Sequence, residues 1–245
     1  MSRTVLVTGS SRGIGRAIAK AFAKQGDRVV INYIEQKAAA EQVKEEIIRE
    51  GGRAMVVQCD VSDEQQVKQM IATIEQEFSP VEVLVNNAGI AEMKLFTDIE
   101  TSMWERMFDV NVKGMYLCCK YVLPSMISRK KGKIVNTSSV WGLVGASCEA
   151  HYSATKGAIL AFTKALAKEE GPSNIQVNAV APGAILTDML SGIDEEALRM
   201  VAEETPAGRL GKPEDIAETV VFLASEKADF ITGQIISPNG GFVVY

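Results

Sequence analysis

Short continuous apolar runs and helix-spaced apolar positions alternate along this chain. Val5-Leu6-Val7 is the first run, and Ile14, Ile18, Ala21 and Phe22 follow it at helical spacing. Further strand-like runs lie at 28–32, 54–59, 81–85, 133–137, 175–180 and 234–237. Helix-forming stretches lie between them at 38–49, 64–78, 102–129, 151–170 and 213–225. In the stretch 64–78, Val67, Met70, Ile71 and Ile74 fall on one face. The stretch 102–129 contains Pro124, where a break is expected because proline lacks a backbone donor. Pro213 suits the first turn of the last helix. Strands that alternate with helices in this way predict βαβ units and a parallel sheet. Runs without polar alternation predict strands covered on both faces. The expected fold is therefore α/β: one doubly wound parallel sheet of seven strands, flanked by helices, in a single domain over residues 1–245. The least regular stretch, 184–211, contains Gly192, Pro206, Gly208 and Gly211. It reads as an inserted loop with a short helix, a candidate lid.

Composition narrows the chemistry. The 245 residues are 47% hydrophobic and 23% charged, which suits a globular chain. Lys plus Arg total 26 against 31 Asp plus Glu, a formal charge of -5, so no basic field favours nucleic acid or an anionic membrane. No apolar run has membrane-spanning length. The N-terminal segment reaches Gly9 too soon for a signal peptide. The four cysteines (Cys59, Cys118, Cys119, Cys148) form no C-x-x-C pair, which points to a reducing compartment, the cytoplasm. His151 is the sole histidine, so a His-rich metal site is excluded and no metal site is expected. A Ser-His-Asp triad would have to use it. Proton chemistry falls mainly to Tyr, Lys, Cys or carboxylates.

The first strand runs into Thr8-Gly9-Ser10-Ser11-Arg12-Gly13-Ile14-Gly15, and a helix follows. Glycines let the backbone turn sharply and approach a pyrophosphate, and the helix N-terminus supplies free N–H groups. Such a turn also occurs without a ligand; its place after the first strand of a βαβ series points to a dinucleotide. Arg12 sits where a guanidinium could reach a ribose 2′-phosphate, or it is a solvated surface charge. An NAD site usually has an acid at the end of strand two; here that stretch reads Asn32-Tyr33-Ile34, with Glu35 only after it. NADP(H) is expected over NAD(H).

Tyr152 and Lys156 stand four apart on a predicted helix and share a face. An unperturbed phenol has a pKa of about 10, too high for proton transfer at neutral pH. A neighbouring ammonium is expected to stabilise phenolate and lower it. Asn136-Thr137-Ser138-Ser139 and Asn86-Asn87-Ala88-Gly89 each end a strand at the carboxyl edge, where α/β sites form.

Taken together, Thr8–Gly15, Asp60-Val61, Asn86–Gly89, Asn111, Ser139, Tyr152–Lys156, Pro182-Gly183 and the Asn239-Gly240-Gly241 tail resemble the short-chain dehydrogenase/reductase family across nearly the whole chain. The resemblance implies a Rossmann-type domain and an NADP(H)-dependent oxidoreductase acting on C=O and CH–OH groups. It implies that Tyr152 is the general acid in reduction and base in oxidation, and that Ser139 holds the carbonyl oxygen. Lys156 then lowers the tyrosine pKa and binds nicotinamide ribose, and Asn111 anchors a water in the proton relay. The cofactor contacts it implies are Gly9, Ser11, Arg12, Gly13, Ile14 and Gly15 in the turn, Asp60 and Val61 at adenine, Asn87 and Gly89 after strand four, and Pro182, Gly183 and Thr187 on the nicotinamide side. It also implies a homotetramer, and the helix 152–170, apolar more than halfway round, fits burial on more than one face. A non-catalytic NADP(H) sensor of the same fold would usually lack the tyrosine or lysine, and both are present here.

Two substrate readings follow within the family. The stretches 206–217 and 231–234 resemble 3-oxoacyl-[acyl-carrier-protein] reductases of fatty acid synthesis, which makes acyl carrier protein the first expected partner. Those enzymes tend to place a basic residue in the turn after the Tyr/Lys helix, where this chain has Gly171-Pro172-Ser173-Asn174. Ser139-Val-Trp-Gly142 with Gly145-Ala-Ser-Cys-Glu149 resembles reductases of a 5-aminopentanone group on elongation factor P, whose amine would suit Glu149. The basic run Arg129-Lys130-Lys131 is a helix C-terminus or a dock for an acidic partner. Trp141 and Cys148 are candidate pocket residues. Cys118-Cys119 is expected to be packing. His151 is expected at a pocket rim or an interface, turned ~100° along the helix from Tyr152.

Overall fold

The computed structural model describes residues 2–188, Gly192 and residues 194–244. Seven strands form one parallel sheet: β1 (Thr4–Val7), β2 (Arg28–Tyr33), β3 (Arg53–Gln58), β4 (Val83–Asn86), β5 (Gly132–Thr137), β6 (Ile175–Val180) and β7 (Ile235–Ile236). Their order is β3-β2-β1-β4-β5-β6-β7, so the winding reverses between β1 and β4. A crevice opens beyond the carboxyl ends at such a reversal. The register is set by apolar pairs such as Leu6 with Val30 and Leu84.

Alternation along each strand feeds two cores. Val5 and Val7 face one side, with Ile18 and Phe22 of α1 (Gly13–Lys24), Val43 and Ile47 of α2 (Lys37–Arg49), and Ile216 and Val220 of α9 (Pro213–Leu223). Leu6 faces the other, with Val67 and Ile74 of α3 (Glu64–Glu77), Leu117 and Val122 of α5 (Gly114–Arg129), and Ile159 of α7 (Ala150–Glu170). The expected doubly wound Rossmann-type architecture is what the chain adopts. Short helices α4 (Thr101–Phe108) and α6 (Trp141–Val144) precede α5 and α7, and α8 (Glu195–Glu204) is the short helix foreseen in 184–211. Of that stretch, Met189, Leu190, Ser191 and Ile193 lie outside the described residues.

The break expected at Pro124 is not there. α5 runs through Pro124, whose exposed position leaves the freed carbonyl to water. The irregularity falls earlier, where Asp109–Lys113 form a π-helical segment between α4 and α5. Such wide turns re-aim side chains and recur at functional sites. Here the segment turns Asn111 inward.

A buried polar chain crosses the strand ends. Asn86 Nδ2 donates to Asn136 Oδ1 at 2.9 Å, and Asn136 Nδ2 donates to Thr163 Oγ1 at 2.9 Å. Thr163→Val keeps the shape and strands the Asn136 amide; it should lower the urea unfolding free energy by about 1–3 kcal/mol. An unchanged unfolding midpoint would show that this link contributes nothing.

Candidate active site

The glycine-rich turn is fixed from three strands. Asn32 of β2 accepts the Gly9 N–H at 3.0 Å and donates to the Cys59 carbonyl at 3.0 Å. Ser10 Oγ donates to the Val7 carbonyl at 2.7 Å and accepts the Asn32 N–H at 3.1 Å. From β4, Asn87 Nδ2 donates to the carbonyls of Thr8 and Gly9, while Thr8 Oγ1 accepts the N–H groups of Asn87 and Ala88. Gly9, at φ +61°, leaves no room for a side chain: a Cβ would lie 2.8 Å from Ala88 Cα. A Cβ on Gly15 would lie 2.4 Å from the Gly9 carbonyl oxygen.

The turn therefore presents backbone to the crevice. Arg12 is the N-cap of α1, no side chain caps the helix, and no acid lies in its first turn. Uncapped N–H groups with positive dipole suit an anion such as a pyrophosphate, so the residues present fit a dinucleotide. The Arg12 side chain is 65% exposed, with its guanidinium 3.9 Å from the Asp188 carboxylate. At the end of β2, Tyr33 is buried and Glu35 is exposed. Asp60 accepts Ser62 N–H and Oγ–H bonds and lies 3.4 Å from Arg106, while Val61 is buried against Gly114. On the far side, the Pro182 carbonyl accepts the Val140 N–H, and Thr187 packs over Gly13, 3.5 Å from where a Cβ would stand.

Polar side chains gather at the ends of β4 and β5. Ser138 Oγ donates to the Lys156 carbonyl at 2.8 Å, which pins β5 to α7. Ser139 Oγ accepts the Trp141 N–H at 3.2 Å and lies near enough to the Tyr152 phenol to favour its ionised form. Lys156 is 4% exposed, and its Nζ donates to the Thr137 carbonyl at 2.9 Å. The same Nζ lies 5.4 Å from the Tyr152 ring centroid. Asn111 Oδ1 accepts the Ile90 N–H at 2.8 Å, and its Nδ2 donates to the Ile90 carbonyl and to Thr155. Gly89 sits over both, since a Cβ there would be 3.2 Å from Asn111 Oδ1 and 3.6 Å from Lys156 Nζ.

The sequence profile described as Enoyl-(Acyl carrier protein) reductase matches residues 9–243. The chain belongs to the short-chain dehydrogenase/reductase family. A 3-oxoacyl-[acyl-carrier-protein] reductase of Staphylococcus aureus (strain N315) is 43% identical over 241 residues, covering 98% of each chain. The oxidoreductase YmfI of Bacillus subtilis (strain 168) is 40% identical over 243 residues, covering 99% of each. The crystal structure of a 3-oxoacyl-[acyl-carrier protein] reductase from Brucella melitensis superposes with a TM-score of 0.93 at 38% identity, covering 99% of this chain and 92% of that one. As a member of this family the protein is an oxidoreductase acting on CH–OH and C=O groups.

The electrostatics of this short-chain reductase depart from the sequence expectation. Burial pushes the Tyr152 phenol up to about 12, against the Ser139 hydroxyl, and the nearby Glu149 carboxylate adds to the rise. Burial pulls the Lys156 ammonium down to about 8. In the protein alone burial decides both groups, and the phenol is raised rather than lowered.

Other expectations need correction. His151 is not at a rim. It is fully buried, and neither ring nitrogen has a partner among the described residues. It shares a helix face with buried Thr155 and Ile159, which turns it into the protein. The basic run lies at the amino end of β5, opposite the site: Arg129 donates to the carbonyls of Ser125 and Val81, and Lys131 is 3.7 Å from Glu82. Cys118 and Cys119 are buried packing residues, as expected. Cys148 is half-buried at φ +61°, and its carbonyl accepts the Lys94 N–H. Sequence reasoning had treated Asn32 only as a missing acid and overlooked that it holds the turn; its place at the end of β2 beside Gly9 was the available signal. Among the described residues no cluster of His, Cys, Asp and Glu could hold a metal, and no helix is long and apolar enough to cross a membrane.

Lysine-selective NMR titration of the protein alone should give a Lys156 midpoint near 8; a value near 10.5 would mean that the ammonium reaches solvent. Below pH 8 folded and unfolded chains both carry this charge, and its burial cost is fully present. Between about 8 and 10.5 only the unfolded lysine holds the proton, so this group makes stability rise with pH there.

Proposed function

We propose that this protein reduces a ketone to a secondary alcohol with NADPH, and that the ketone is a 3-oxoacyl thioester presented by acyl carrier protein in fatty acid synthesis. The observation that carries the reduction is the constellation of buried Ser139 and Lys156 with half-buried Tyr152 at the carboxyl edge of the sheet, beside an uncapped helix N-terminus. The similarity to 3-oxoacyl-[acyl-carrier-protein] reductases supports the substrate. We place the enzyme in the cytoplasm as a homotetramer of single-domain chains, with 184–211 as the lid.

NADPH would supply the hydride. Gly9, Ser11, Arg12, Gly13, Ile14 and Gly15 would hold its phosphates, Asp60 and Val61 its adenine, and Asn87, Gly89, Lys156, Pro182, Gly183 and Thr187 its nicotinamide half. Arg12 would meet the 2′-phosphate, with no acid at the end of β2 to repel it. Ser139 and Tyr152 donate to an oxygen that becomes alkoxide-like, so they favour the transition state over the ketone. Tyr152 gives up its proton to that oxygen. At neutral pH the phenol carries its proton, the form that donates in reduction, while burial makes that proton harder to release. Lys156 stays within reach of the ring to stabilise the phenolate left behind. The Asn111 side chain is committed to Ile90 and Thr155, so its backbone carbonyl is the group that would anchor a relay water.

A second reading, the 5-aminopentanone group on elongation factor P, is favoured by one observation. Glu149 is half-buried, lies close enough to Tyr152 to raise its pKa, and its carboxylate has no hydrogen-bond or ion-pair partner among the described residues. A substrate ammonium would pair with it. The decisive assay follows NADPH oxidation with an acetoacetyl thioester and with the modified factor. Turnover of the thioester alone supports the first reading, and turnover of the factor alone supports the second. Tyr152→Phe should bind NADPH normally and lose about 10²–10⁴-fold in kcat; retained turnover would defeat its role as proton donor.

Arg12→Ala should weaken NADPH binding at least tenfold and leave NADH binding within twofold, about 1.4 kcal/mol of selectivity. Equal losses for both dinucleotides, read by fluorescence titration, would remove Arg12 from the 2′-phosphate.

A further inference from the structure

The C-terminal segment has a fixed shape. Asn239 is 9% exposed, accepts the Gly241 N–H at 2.8 Å, and donates to Ser237 Oγ and the Val243 carbonyl at 2.8 Å each. Gly240 and Gly241 turn at φ +67° and +89°. The segment touches two parts of the proposed site. The Gly240 carbonyl accepts the Ala207 N–H at 2.9 Å, where the stretch 184–211 returns. Asn239 Cα stands 2.9 Å from where a Cβ on Gly183 would be.

The turn delivers Phe242 to Trp141. The two rings meet edge to face, with centroids 5.8 Å apart and planes at 77°, and both residues are half-buried. Trp141 begins α6, and its own N–H is the group bonded to Ser139 Oγ. The ring against which Phe242 packs therefore belongs to a residue in direct contact with the serine that faces the phenol. Edge-to-face aromatic pairs attract beyond what their buried area supplies, which helps to hold each ring in place.

We propose that Phe242 and Trp141 form one aromatic wall for the substituent attached to the reacting carbonyl, so that the C-terminal segment sets which ketones are accepted. This rests on the ketone-reductase reading. The wall offers apolar surface, with the indole N–H as its only donor, and so recognises a methylene chain or an aryl group. Phe242 is a specificity-determining residue in this scheme; Ser139 and Tyr152 remain the groups at the oxygen.

The test compares acetoacetyl and 3-oxooctanoyl N-acetylcysteamine thioesters in the wild type, Phe242→Leu and Phe242→Ala. For Phe242→Ala, KM for the long thioester should rise about tenfold and that for acetoacetyl less than twofold, with kcat and the NADPH Kd unchanged. Phe242→Leu should fall between, and it carries the test if the alanine variant does not fold. Equal changes for both thioesters, or a change confined to NADPH affinity, would overturn the wall. A second readout needs no turnover. The chain has two tryptophans, so Trp104→Phe leaves Trp141 as the sole emitter. Its emission should shift when 3-hydroxyoctanoyl thioester binds, and should shift less in Phe242→Ala; an emission that ignores this ligand would overturn the proposal. If the wild type reduces neither thioester, the thioester reading falls and the wall for its chain falls with it; equal changes for both thioesters in a working enzyme overturn the wall alone.

Discussion

Lys156 carries its ammonium into the protein and finds one carbonyl there, that of Thr137. Burying a cation with a single neutral acceptor is costly, and the lowered proton affinity is the sign of that cost. The surroundings hold the group there nonetheless. Ser138 bonds the lysine's own carbonyl, and Gly142 lets α6 lie directly on that backbone, where a Cβ would be 2.7 Å from the Lys156 carbonyl carbon. Gly89 leaves the space above Nζ open. The site is thus a charge kept waiting in a dry place, with room on one side for what balances it.

The same edge of the sheet ties the two halves of the crevice together. Thr8 and Asn87 join β1 to the residues after β4, across the point where the strand order reverses. Asn86, Asn136 and Thr163 continue the link to β5 and α7. The glycine turn and the tyrosine helix are therefore parts of one hydrogen-bonded frame. The spacing between the glycine turn and the Tyr152 helix is therefore held by the strands and the side chains at their ends.

Much of this was legible in the sequence. Continuous apolar runs gave the parallel sheet, and glycine spacing after the first run gave the turn. The motifs placed Ser139, Tyr152, Lys156 and Asn111 at one edge. What was hidden depended on the third dimension. Pro124 reads as a helix breaker, but its exposed position makes it harmless, while the π segment at Asp109–Lys113 carries no signature residue. The phenol moved opposite to expectation because a pair at i, i+4 says nothing of burial, and burial is the largest influence on it. His151 could not be placed because one polar residue does not reveal which way its helix faces. The basic run could be read as a helix end or a dock, and it does end α5, at the strand end remote from the site.

Gly142 also has a consequence for how such a fold can diversify. The backbone beside Ser139 cannot gain even a methyl group without pushing α6 off α7. A lineage retuning this enzyme would find that position closed, and would have to reshape the pocket from residues further along the chain.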